Sequence, residues 1–120
     1  MQETPKFNLR HEGGVAIVTL LERKILGEVE VQRLGEQLYA LVDQEGCKKI
    51  LISFRQVQYL SSEANGKLIT LNKKLNRADG RLILCEINPQ IFEMFELTKL
   101  NKLFDIQKSE ADGLNVLRDS

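Results

Sequence analysis

Residues 81–91 read RLILCEINPQI, and the order of side-chain types in that stretch decides the fold. Arg81 to Ile87 form a short apolar run closed off by Asn88-Pro89 and followed by a helical pattern, so the run reads as a buried strand. Asn88 is a favourable N-cap, and proline suits the first helical position because the amide it lacks would be unpaired there anyway. The following residues, QIFEMFELTKL, therefore predict a helix. Lys49 to Phe54, KILISF, repeats the apolar run and is again followed by a helical pattern. Two such strand-then-helix units imply a largely parallel sheet core.

Working outward, KFNLRHE and VAIVTLL flank Gly13-Gly14, which predicts a hairpin through the positive backbone angles that glycine permits. From Glu28 to Gln44 the apolar residues Val31, Leu34, Leu38, Leu41 and Val42 recur at helical spacing, and Gly46 supplies a stop. Leu103 to Ile106 reads as one more strand. Ser109-Glu-Ala-Asp112 has capping-box spacing and opens a short terminal helix. The expected order is ββαβαβαβα: an α/β fold with a mixed, largely parallel sheet, an N-terminal β-hairpin and about four helices. At 120 residues the chain fits a single domain, 1–120, able to bury roughly two thirds of its unfolded surface.

Composition narrows the function classes. Seventeen basic residues balance seventeen acidic ones, so the chain lacks the basic field that direct nucleic-acid binding requires. No segment approaches the roughly 20 apolar residues of a membrane span, and MQETPKFNLR has no apolar signal core. The sequence reads as cytoplasmic. Cys47 and Cys85 stand far apart with no CxxC or His/Cys cluster, which argues against a metal site. Cys85, inside LILCEI, reads as a small buried hydrophobe, and His11, the one histidine, as a surface residue beside a turn. No acid-base pair or nucleophile constellation is assembled, so no catalytic residue, cofactor or enzymatic turnover is expected.

The segment from Tyr59 to Leu71, YLSSEANGKLITL, carries the most information about a site. Gly66-Lys67 stands at the right distance from Ser61 for a phosphate-binding loop. That loop needs glycine at the leading position and Ser or Thr after the lysine, whereas this chain has Ser61 and Leu68. As a helix, at about 100° per residue, Ala64, Leu68, Leu71 and Leu75 fall within roughly a 60° arc that forms a buried stripe. Ser62, Gly66, Ile69 and Lys73 cluster on another side. A hydroxyl at the helix start, a small residue and an apolar anchor on one face suit a partner contact; the plainer alternative is that Ile69 packs under a neighbouring loop or is one of the single exposed apolar residues any surface carries.

These residues carry a resemblance. The pattern V-x-Y-L-S-S-x-A-x-G-K-L from Val57 to Leu68, followed by ADGRLILCEINPQIFEMFELTKLNKLFDI, resembles the STAS domain of anti-sigma factor antagonists over nearly the whole chain. In that family a hydrophobic pair precedes Asp-Ser-Ser/Ala-Gly-Leu-Gly, and the serine after the aspartate is phosphorylated by an anti-sigma factor that doubles as a serine kinase. The resemblance puts Ser61 at the aspartate position and Ser62 at the phosphoacceptor position, with Ser61 a second candidate acceptor. Glu63, Ala64 and Asn65 replace the usual Ser/Ala, Gly and Leu, and Gly66 is retained. Glu22 to Gly27, ERKILG, departs from the Gly-x-Leu/Ile-Asp often found after the second strand. The implied partner surface comprises Ser61, Ser62, Glu63, Gly66, Ile69 and Lys73, and the implied action is release of a sigma factor for transcription. Other open classes are a STAS subunit of a stress-signalling scaffold, one of a lipid transporter, and a small-ligand or nucleotide-binding domain.

Overall fold

In the computed structural model, which describes residues 6–119, the two apolar runs become neighbouring parallel strands. The elements in chain order are β1 (Phe7–Glu12), β2 (Val15–Leu20), β3 (Lys24–Ile25), α1 (Glu28–Asp43), β4 (Lys49–Ser53), β5 (Tyr59–Leu60), α2 (Ser62–Arg77), β6 (Arg81–Cys85), α3 (Pro89–Leu97), α4 (Leu100–Leu103), β7 (Asp105–Gln107) and α5 (Glu110–Arg118). The main sheet has the order β1-β2-β4-β6-β7. Only β1 runs against the rest, joined to β2 by the expected turn, where Gly13 and Gly14 take φ values of 55° and 81°.

This order explains the layering. Strands β2, β4, β6 and β7 follow one another across the sheet in chain order, and parallel crossovers are right-handed. Every crossover moving in the same direction puts its helix on the same face, so α1, α2 and α3 share one side. The pleat then divides the strand residues: Ala16, Val18, Leu20, Ile50, Ile52, Leu82 and Leu84 point into the large core beneath those helices. Val15, Ile17, Leu51, Ile83 and Cys85 point the other way. They are covered by α5, which follows the last strand and is free to fold back, bringing Leu117 onto them. Gly113 lets α5 lie close to the sheet: a Cβ there would come 2.5 Å from Leu51 Cδ1.

Three expectations are corrected. Strands β3 and β5 form a separate two-stranded parallel ribbon that the periodicity did not show, because two residues carry no period. The helix after Asn88-Pro89 ends at Leu97, not Leu100; the Thr98 hydroxyl donates to the Met94 carbonyl at 2.8 Å, and Lys99 turns the chain at φ 63°. The strand expected at Leu103 to Ile106 is shifted to Asp105–Gln107, since Leu103 completes the single turn of α4. The other four helices are the four expected.

Candidate functional site

The β3–β5 ribbon fixes where α2 begins. Lys24 lies opposite Tyr59 and Ile25 opposite Leu60, and the Ser61 amide continues the ribbon by donating to the Ile25 carbonyl at 3.0 Å. Ser61 is thereby held in extended backbone at the N-cap, φ −80° and ψ 165°, where its Oγ accepts the Ala64 amide at 3.2 Å. A serine cap contributes about 1 kcal/mol. Its hydroxyl is thus engaged and its side chain half-buried, whereas Ser62, the first helical residue, is exposed.

The remaining residues of the expected partner face separate on burial. Glu63, Gly66 and Lys73 are exposed, and a Cβ at Gly66 would meet only open space. Ile69 is half-buried and packs against the main core, so the plainer reading of that residue describes its surroundings better than a free apolar anchor does. Ala64, Leu68, Leu71 and Leu75 form the buried stripe as read, and Asn65 joins them at 6% exposure with no hydrogen bond to its Oδ1.

The phosphate-loop geometry is absent from this stretch, because Ser62 to Gly66 are helical. Lys67 points toward α1, where its Nζ donates to Gln32 Oε1 at 2.9 Å and its stem lies over Gly35. The Tyr39 hydroxyl donates to the Lys67 carbonyl at 3.4 Å, and Lys74 pairs with Asp43 at 2.8 Å. The α1–α2 contact is thus a polar seam that holds the helix from its second turn onward.

Three exposed apolar side chains escaped the sequence reading. Leu26 precedes α1 and is 50% exposed, Val29 in the first turn of α1 is 58% exposed, and Tyr59 on β5 is 48% exposed beneath Lys24 Nζ, 5.7 Å from its ring. Leu26, Tyr59 and Leu60 also border an open groove whose far wall is Ile91 and Met94 of α3. A short ribbon alternating Tyr59 out and Leu60 in was the signal that could have exposed Tyr59.

Outside this region Cys85 is the buried thiol expected and His11 lies exposed on β1. Burial, reinforced by Glu86 and Glu110, pushes the Cys85 thiol up to about 12. Among the described residues no three His, Cys, Asp or Glu side chains converge as a metal site would need. No helix among them is long and apolar enough to cross a membrane.

The family model of the STAS domain matches residues 6–113. The anti-sigma F factor antagonist of Paenibacillus polymyxa is 23% identical over 112 residues, covering 93% of this chain and 94% of that protein. An anti-sigma-factor antagonist (STAS) domain protein from Planctomyces limnophilus superposes with a TM-score of 0.83 at 19% identity, covering 96% of this chain and 99% of that one. The phosphorylated form of the Bacillus cell fate determinant SpoIIAA superposes with a TM-score of 0.71 at 17% identity, covering 93% and 99%.

Proposed function

The chain belongs to the STAS-domain family, and from that premise we propose that it is a non-enzymatic anti-sigma factor antagonist, switched by phosphorylation of Ser62. Residues 1–120 act as one cytoplasmic domain that binds a kinase-type anti-sigma factor and so frees a sigma factor for transcription. ATP belongs to the partner. The relatives named as antagonists support the role, and the observation that carries the switch is the contrast between the two serines. Ser61 Oγ is engaged as the helix cap, while Ser62 offers an exposed hydroxyl at the first helical position.

A phosphate on Ser62 adds about −1.5 to −2 charges at neutral pH, beside the unpaired amides and the positive dipole end of α2. The fold tolerates it there. The partner does not, because the dianion lies next to Glu63 and close to exposed Leu26 and Tyr59, which the β3–β5 ribbon brings to the helix start. Docking therefore uses Ser61, Ser62, Glu63, Gly66 and Lys73 together with those two side chains, and Ile69 supports this face from beneath.

Binding of Ser62 variants to the purified partner, measured by calorimetry, tests the reading. Ser62→Ala binds constitutively and accepts no phosphate; Ser62→Asp binds poorly, with unchanged circular dichroism. Wild-type affinity in Ser62→Asp, together with phosphate incorporation that persists in Ser62→Ala, overturns the assignment; persistence that vanishes in Ser61→Ala moves the switch to Ser61.

A further inference from the structure

Although Ser61 caps the first turn of α2, three features in and just after that turn work against it. Asn65 is 6% exposed and its Oδ1 has no hydrogen-bond partner, a standing penalty that opening of the turn to water relieves. Gly66 sits mid-helix with open space where a Cβ would be, so neither close packing nor backbone geometry requires a glycine, and its freedom weakens the helix at that point. The Thr70 hydroxyl donates to the Gly66 carbonyl at 3.1 Å, competing for the acceptor of the helical ladder. Immediately beyond, the helix is pinned: the Lys67 carbonyl accepts from Tyr39 and Lys67 Nζ reaches Gln32.

We infer that Ser62 to Gly66 form a metastable turn, hinged at Gly66, that opens locally to present Ser62 to the modifying enzyme. The inference rests on Ser62 being the phosphoacceptor. In-line phosphoryl transfer requires the acceptor oxygen to enter the nucleotide cleft. Ser62 is two residues from the buried Ala64 and three from the buried Asn65, so it cannot advance far while its turn is docked.

Hydrogen exchange of the free protein, followed by NMR, reads the device without any partner. The amides of Asn65 to Leu68 should exchange at least tenfold faster than those of Leu71 to Leu75, through an opening insensitive to low denaturant. Asn65→Leu and Gly66→Ala should each slow that exchange about tenfold and raise the melting temperature. Native-state cleavage after Glu63 by a glutamate-specific protease, which needs an extended segment, should slow in parallel. Exchange of Asn65 to Leu68 only with global unfolding, or rates unchanged in both variants, overturns the proposal. If Asn65→Leu does not fold, Gly66→Ala decides. Because exchange is read in the isolated chain, a failure here leaves the partner-binding result of the Ser62 variants standing, and a failure of those variants leaves the opening measurable.

Discussion

Asn88 shows how one side chain can join two parts of the fold. Its Oδ1 accepts the Ile91 amide at 2.8 Å as the cap of α3, and its Nδ2 donates to the Val57 carbonyl at 3.1 Å. Alanine there removes the cap, about 1 kcal/mol, and the second bond, roughly another 1 kcal/mol. Asn88→Ser keeps a capping oxygen and loses only the second bond. Urea midpoints should therefore be highest for wild type, lower for Asn88→Ser and lowest for Asn88→Ala; an Asn88→Ser midpoint equal to wild type would show that the Val57 bond carries no weight. The cap was legible in the sequence because Asn-Pro is a local signal, while the bond to Val57, 31 residues away, has none. Cys85 yields a second test at this scale. The folded thiol, pushed from 9.0 to about 12, holds its proton more tightly than the unfolded one. Its stabilising contribution is complete below pH 9 and is lost as pH rises toward about 12, by up to about 1.4 kcal/mol per pH unit. Urea midpoints at pH 8 and 10.5 should therefore fall further for wild type than for Cys85→Ala. An aromatic disulfide reagent at pH 8 should label half-buried Cys47 and reach Cys85 only after denaturant is added.

Among the elements, α2 shows where helical periodicity informs and where it stops. The stripe of Ala64, Leu68, Leu71 and Leu75 was read correctly because it faces the sheet. The wheel did not reveal what lies beside the helix, so the half-burial of Ile69 and the enclosure of Asn65 emerged only with the neighbouring elements in place. Leu68→Asp puts an unpaired charge into the core and should abolish the cooperative melt. Ile69→Asp should cost about 1 to 2 kcal/mol and leave a folded protein, and equal collapse of both would show that Ile69 is as deeply structural as Leu68. The ribbon that sets the start of α2 was invisible for a different reason: it depends on a pairing between segments 35 residues apart, Lys24 with Tyr59. Helix α5 offers the converse case, a cap evident in the sequence and a packing demand that was not. Gly113→Ala should destabilise by about 1 to 3 kcal/mol through overpacking against Leu51, although alanine is the better helix former; a gain in thermal stability would show that Leu51 yields freely.

For the whole molecule, the apolar runs disclosed the class of fold, and the handedness of crossovers distributes three helices to one side once the strand order is known. The layered asymmetry that results was not legible, because nothing local marks α5 as the cover of the opposite face. Deleting residues 109–120 should bare Val15, Ile17, Leu51, Ile83 and Cys85, producing dye binding and self-association with the far-ultraviolet spectrum largely kept. A monomeric, dye-silent truncation would mean that the face needs no cover. The position of this cover after the last strand also has a consequence in time. Strands and crossovers can assemble in the order in which a ribosome delivers them, but the segment that shields the second face is made after all of them. At roughly 5 to 20 residues per second, every nascent copy passes on the order of a second with a sticky surface bare.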